Sequence, residues 1–430
     1  MWKKFLKNSA FTIAAILLSA VTGACLLFAV YLIPEEHIRS NVSSSAPTYD
    51  SEGLTNLYVP WLMSTRMDNY TDSIMLSEAA YQGKGSAISE ALTSNYVYVT
   101  DIESYYEPGY LLKMLEPQSD NSSVTVSYAR YWHGYLILLK PILLVTGIWG
   151  IRIINAVFQL VMLALVMIEL YKNKDGRKLM IPLLITVILI NPVSTVLNMQ
   201  FACVYNLMLT GAFIMLKAKL YDSPNYWRFF LFMGIATAYF DFLTYPLAGI
   251  GIPLIIMLVL GKGESLDNLK KTVLSFISWG TGYVFMWASK WVICDLVTGS
   301  SIVKDAINQV MVRTVTNAYE ETGIESDNVI KVVGYNLNCL ADPLSLAVIF
   351  IAIAGFVMYL VFAHRQFKVD DRILLPMLVI AIVPFVWYMV LSNHSAIHFW
   401  MTYRNLALTS MAFAALCALS AVKKNGKAVK

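Results

Sequence analysis

Segments 179–197 and 343–363 hold no Asp, Glu, Lys or Arg, and almost every residue in them is apolar. A helix of about 20 such residues matches the roughly 30 Å hydrocarbon layer of a bilayer. In lipid every backbone N–H and C=O needs an internal partner, so only helices and closed barrels cross. The runs show no strict alternation, which selects helices. Of the 430 residues, 57% are hydrophobic and 14% charged, where a soluble domain carries about 25% charged residues. The expected fold class is therefore all-α: a polytopic membrane protein of about ten transmembrane helices forming a single transmembrane domain over 1–430. The spans are expected near 10–33, 151–170, 179–197, 199–216, 228–244, 246–260, 272–296, 343–363, 373–391 and 405–421.

Charge gives the sidedness. Trp2, Lys3, Lys4 and Lys7 precede the first run, which is too long for a signal-peptide core and reads as an uncleaved anchor. With the N-terminus inside, 20 of the 32 Lys and Arg fall in the N-terminus, 171–179, 217–228, 261–272, 363–373 and the C-terminus from 422. Positive residues favour the cytoplasmic side, so both termini are expected in the cytoplasm of a multi-pass cell-membrane protein. The net charge of +4 argues against nucleic acid as a partner, and Cys25, Cys203, Cys294, Cys339 and Cys417 form no CxxC or disulfide framework.

Two large connections then lie outside, 34–133 and 297–342, with a short third at Ser392–His398. The first is too long to be structureless. Met75–Leu92 reads as an amphipathic helix pair broken at Gly83-Lys84-Gly85, lying against the membrane. Tyr96, Tyr98, Tyr105, Tyr106 and Tyr110 suit the interface. The piece 136–149 holds Lys140-Pro141 and reads as a helix skimming or re-entering the bilayer.

The chemistry-bearing residues gather on this outer side. Asp68-Asn69-Tyr70-Thr71-Asp72 puts two carboxylates and an amide within one turn. They suit a general base or a cation ligand; the plainer alternative is that Thr71 or Asp72 caps the following helix. Arg130 and His133 close the first connection. Asp241 lies at a span end, where a carboxylate needs water or a partner such as Arg130 or Arg152. His394 and His398 are four apart, a spacing that serves a metal, although no acid lies nearby in sequence. With Arg404 they supply donors suited to a lipid phosphate, or they pair with headgroups at the interface.

This layout resembles the C-type (GT-C) membrane glycosyltransferases. The resemblance rests on the first span and its long acidic loop, with Arg130-Tyr131-Trp132-His133-Gly134-Tyr135, Thr244-Tyr245-Pro246, and Asn393-His394-Ser395 with His398. It implies transfer of a sugar from a polyprenyl-phosphate carrier to a glycan, lipid or protein acceptor at the outer membrane face. Asp68 and Asp72 would then be catalytic. Asn69, Arg130, His133, Asp241, His394, His398 and Arg404 would bind substrate, and a divalent cation, magnesium or manganese, is a possible cofactor. Catalytic acids of that family usually follow the first span closely, which makes Glu52 a rival base. A polysaccharide polymerase or ligase and a lipid or solute transporter are the competing readings. Mid-span ionisable residues, the mark of a transporter, are scarce.

Overall fold

The computed structural model describes residues 2–81, 83, 85–101, 105, 107–115, 122–261, 263–314, 324 and 326–423. Lys84, Tyr106, Lys262, Lys424, Lys427 and Lys430 of the sequence argument fall outside them. The chain is mostly helical. Trp2–Val30, Ile148–Lys172, Met199–Lys217 and Pro343–Phe362 are long and apolar enough to cross a membrane. In Trp2–Val30, Ile148–Lys172 and Pro343–Phe362 the apolar side chains point largely away from the protein, with Phe350 71% and Phe362 75% exposed, while Met199–Lys217 is mostly buried within it. Apolar surface on this scale is stable only against an apolar surrounding.

The other expected spans are also helical but shorter, broken or charged. Tyr226–Phe240, Leu247–Leu260, Leu374–Val390 and Ala407–Ser420 are short. Ser265–Thr298 is long and carries Asp267, Lys270, Lys271, Lys290 and Asp295. The run 179–197 splits into Met180–Leu189 and Pro192–Leu197 at Asn191, whose φ is +58°. Proline cannot continue the preceding helix's hydrogen-bond ladder, and Asn tolerates the left-handed conformation.

The basic turns meet at one end of the bundle. Lys217 pairs with Glu169 at 3.5 Å, Asn268 Nδ2 donates to Arg372 O, and Arg365–Phe367 pairs antiparallel with Ala421–Lys423. The first connection lies at the opposite end, where Ile148 N donates to Ser45 Oγ at 3.0 Å.

That connection is built rather than draped. Asn69–Ala80 is buried on nearly every side, from Asn69 through Ala80, so it is not the interfacial amphipathic helix expected. Ala87–Thr93 follows it. Arg39 Nη1 donates to Ala80 O and Leu115 O, and Lys140 Nζ to Ala79 O, which ties it down. Leu136–Leu143 packs beneath it with Lys140 wholly buried. The tyrosine-rich stretch is partly a strand: Asn95–Val99 pairs antiparallel with Ser123–Ser127, a small departure from all-α. The second connection holds helices Ile302–Thr314 and Val329–Asn338.

Close helix contact sets the bundle. A Cβ at Gly234 would meet Trp279 O at 2.0 Å, and one at Gly282 would meet Leu231 O at 2.2 Å. Small residues let two helix backbones approach in this way. Gly234→Val and Gly282→Val are each expected to lose on the order of 1–3 kcal/mol through overpacking, read as a lower melting temperature of the purified protein. Gly280→Ala, with nothing within 4 Å of its Cβ position, is expected to leave it unchanged.

Candidate functional site

The site begins with a break in the chain. Asn198 is extended between Pro192–Leu197 and Met199–Lys217, which bares the first N–H groups of the latter helix. Asp72 fills that end. Met199 N donates to both of its oxygens at 3.0 Å, Gln200 N to Oδ1 at 3.4 Å, and Asn198 Nδ2 to Oδ2 at 3.3 Å. A carboxylate satisfies such orphan donors and the positive end of the helix dipole. Burial pushes the Asp72 carboxyl up to about 7; the Met199 N–H opposes this and neighbouring Asp68 adds to it.

Asp68 caps its own helix, a role the sequence assigned to Thr71 or Asp72: its Oδ1 accepts from Thr71 N at 3.0 Å. Its Oδ2 accepts from the Gln200 side-chain amide. Burial raises this carboxyl too. Asn69 links the two acids to the rest. It donates to Glu52 Oε2 at 3.0 Å and Gly53 O at 2.8 Å, and accepts from Asn198 Nδ2 at 3.3 Å. Glu52, the rival base, is held by Arg152 through two bonds of 2.6 and 2.7 Å.

Asp241 has neither partner expected of it. Leu243 N, Thr244 N and Thr244 Oγ1 donate to it at 3.0, 3.1 and 2.5 Å, closing an Asx-type turn. Arg130 instead pairs with Asp305 at 3.0 Å. His133, at φ +54°, lies in a second buried group that the sequence argument missed. Its Nε2 faces Tyr128 O at 2.8 Å, and its Nδ1 is 3.1 Å from both Glu78 Oε2 and the Tyr135 hydroxyl, which itself donates to Glu78. Both ring nitrogens lie within hydrogen-bond reach of oxygen, Tyr128 O on one side and Glu78 with the Tyr135 hydroxyl on the other. The available signal was Glu78 itself, the one charge in the apolar run 74–81.

In the last connection the His394 and His398 rings lie 4.8 Å apart, tilted at 53° to each other. His394 Nε2 lies 2.7 Å from Leu243 O and its Nδ1 2.8 Å from Arg313 Nη1. A guanidinium only donates, so His394 is neutral with its proton on Nε2. Burial holds it well below the ordinary imidazole range, and pushes His398 down to about 3, with Arg313 and Arg66 adding to the effect. Neither histidine therefore supplies positive charge here. Arg66 and Arg313 bring it, and neither stood out in the sequence. The Arg66 guanidinium lies 3.8 Å over the Trp400 ring, and its charge acts on both Asp68 and His398.

Arg404 is wholly buried and each of its three nitrogens donates to a carbonyl: Nε to Ile190 at 3.0 Å, Nη1 to Trp400 at 2.6 Å and Nη2 to Ser64 at 3.4 Å. It joins the first and last connections as a clamp, not as a headgroup ligand at the interface. Asn191 grips the same loop, donating to Ser64 O and accepting from Tyr58 OH. The acids of the first connection and the histidines of the last thus lie on adjoining segments, with Arg66 between them and no direct bond.

Among the described residues no group of three or more His, Cys, Asp or Glu is gathered for a metal. Magnesium and manganese seek about six oxygen ligands. Asp72 has both oxygens on N–H donors and Glu52 both on Arg152, which leaves Asp68 alone, so the residues do not fit a resident cation. Comparison with protein-family models, with curated proteins and with solved structures finds no match.

Two outcomes follow from this geometry. The folded Asp72 pKa exceeds the unfolded one, so the folded state binds the extra proton between about pH 4 and 7 and stability falls as pH rises through that window. Asp72→Asn is expected to flatten the melting-temperature profile between pH 4.5 and 7. Arg404→Ala takes the guanidinium from the buried carbonyls of Ile190 and Trp400, at about 1–3 kcal/mol each, while Ser64 O keeps Asn191 and Ser194 as donors. It is expected to lower the melting temperature strongly, and Arg404→Lys to restore only part, since one ammonium cannot span all three.

Proposed function

We propose that this chain is a polytopic membrane glycosyltransferase of the GT-C kind, moving a sugar from a polyprenyl-phosphate carrier to an acceptor hydroxyl at the outer membrane face. In this reading the bundle crosses the membrane about ten times with both termini and the basic turns in the cytoplasm, and the two large connections face outward. The observation that carries it is the stacking of Arg66 on Trp400, which brings the first connection, acids included, against the last.

The roles divide by what each group has free. Asp68 is the base: its Oδ2 accepts from a side-chain amide, Gln200, which can swing aside, and its raised pKa suits proton uptake. The acceptor oxygen attacks the anomeric carbon, the bond from that carbon to the carrier phosphate oxygen breaks, and the hydroxyl proton goes to Asp68. The departing phosphate takes the electron pair and faces Arg66 and Arg313, where growing negative charge is stabilised. Asp72 is a positioning residue, since it fixes the helix start from which Gln200 reaches Asp68. The neutral His394 orients Arg313.

A polymerase or ligase led by Arg and His is the second reading, favoured by the commitment of both Asp72 oxygens to a helix end. One experiment separates the two. In a strain lacking the protein, the profile of carrier-linked sugars and surface glycans is compared after expression of each variant at equal membrane level. Asp68→Asn is expected to restore less than about one hundredth of the wild-type product, the scale of a lost general base. Full restoration by Asp68→Asn with loss in Arg313→Ala would transfer the reading to the Arg-led enzyme.

A further inference from the structure

A cavity of about 230 Å³ opens in the first connection, lined among others by Tyr49, Asp50, Asn56, Tyr105, Glu107 and Tyr110. The chain builds it deliberately. Helix Ala46–Glu52 ends at Gly53, whose φ of +74° turns the backbone into one wall. The opposite wall is the Pro108-Gly109 turn, where Gly109, at φ +84°, donates its N–H to Asp50 Oδ1 at 2.8 Å. The Tyr105 hydroxyl donates to Thr55 Oγ1 at 3.1 Å. Tyr70, Tyr105 and Tyr110 pack with centroids 5.6–6.1 Å apart, backed by buried Leu54, Ile74, Tyr96, Val99 and Met114. Such walls are preformed, as ligand sites usually are.

The lining decides what enters. Among the described residues that line it, Asp50 and Glu107 are the charged ones, and none is Lys, Arg or His. Lys113, outside the lining, pairs with Glu107 Oε2 at 2.9 Å, so Asp50 is the charge that disfavours phosphate and carboxylate there. Carboxylate and amide oxygens accept hydrogen bonds from hydroxyls, and tyrosine faces pack against the apolar face of a sugar ring. The volume is below the roughly 300–1,000 Å³ of drug-sized sites, which limits the occupant to about one ring. One wall is joined to the acid pair: Gly53 O accepts from Asn69 Nδ2 at 2.8 Å and Leu54 O from Tyr70 N at 3.2 Å.

We infer that this cavity binds the uncharged terminal sugar of a glycan acceptor. The acceptor role rests on the transferase reading; the binding itself does not. The charged carrier is directed instead to the arginines beyond Asp68.

The test is saturation-transfer NMR on the full chain in lipid nanodiscs, with glucose, galactose, mannose, rhamnose and N-acetylglucosamine, and with glucose 1-phosphate and inorganic phosphate as charged probes. At least one neutral sugar is expected to saturate at millimolar concentration, with glucose 1-phosphate weaker than glucose. Glu107→Gln and Asn56→Ala, both outside the buried core, are expected to weaken binding about tenfold each, roughly one lost hydrogen bond. No saturable signal from any of the five sugars, tighter binding of the charged probes, or unchanged affinity in both variants would overturn the assignment. No transfer occurs in this assay. Failure of the transferase reading therefore leaves a positive binding result intact, and loss of the pocket leaves the transfer test intact.

Discussion

The carboxylate of Asp72 on the first turn of helix Met199–Lys217 is the contact on which the rest of the arrangement hangs. A polar connection of roughly a hundred residues has no lasting place on a bundle unless its own polar groups are met. Here one buried acid meets two backbone N–H groups and a side-chain amide that the break at Asn198 leaves open. Once Asp72 is seated, Asn69 reaches Glu52, Glu52 reaches Arg152, and Gln200 reaches Asp68. Isolated burial of a carboxylate is costly, and each of these bonds offsets part of that cost.

The same economy joins the far end of the chain. Ser64 O takes a bond from Arg404 and another from Asn191, so a single loop of the first connection is pinned by residues 127 and 340 positions away. Arg66 then has one place to go, the face of Trp400. The position of Asp241 follows a similar logic. Its carboxylate shapes the turn that presents Leu243 O to His394, which in turn accepts from Arg313. Asp72 and Asp241 thus act first as builders of backbone geometry.

Much of the helical frame was legible in the sequence. The apolar run 199–216 is the helix Met199–Lys217, and 343–363 is Pro343–Phe362, because a lipid-length apolar run has little else to form. The expected span 179–197 breaks at Asn191, just before Pro192. Failures came where tertiary burial overrides local pattern. The stripe Ile74–Ala80 suggested a membrane-facing helix, but every residue in it is covered, including Ser77 and Glu78. Asn95–Val99 alternates Tyr and Val, a strand pattern, where the tyrosines alone suggest a membrane interface.

The candidate site was half legible, for the same reason. Asp68, Asn69 and Asp72 announce themselves by proximity. Arg66, Arg313 and Glu78 are solitary residues whose partners lie far along the chain, so spacing carries no sign of them. The histidines were found but misjudged, since burial removes the charge that their type suggests. The claim beneath all of this is that the first and last connections share one surface. It is tested most directly by placing the photo-crosslinking amino acid p-benzoylphenylalanine at position 400 in the membrane-embedded protein and mapping adducts by mass spectrometry. The account predicts adducts on the peptide spanning 57–66. Adducts confined to the neighbouring helices, with none on that peptide, would contradict it.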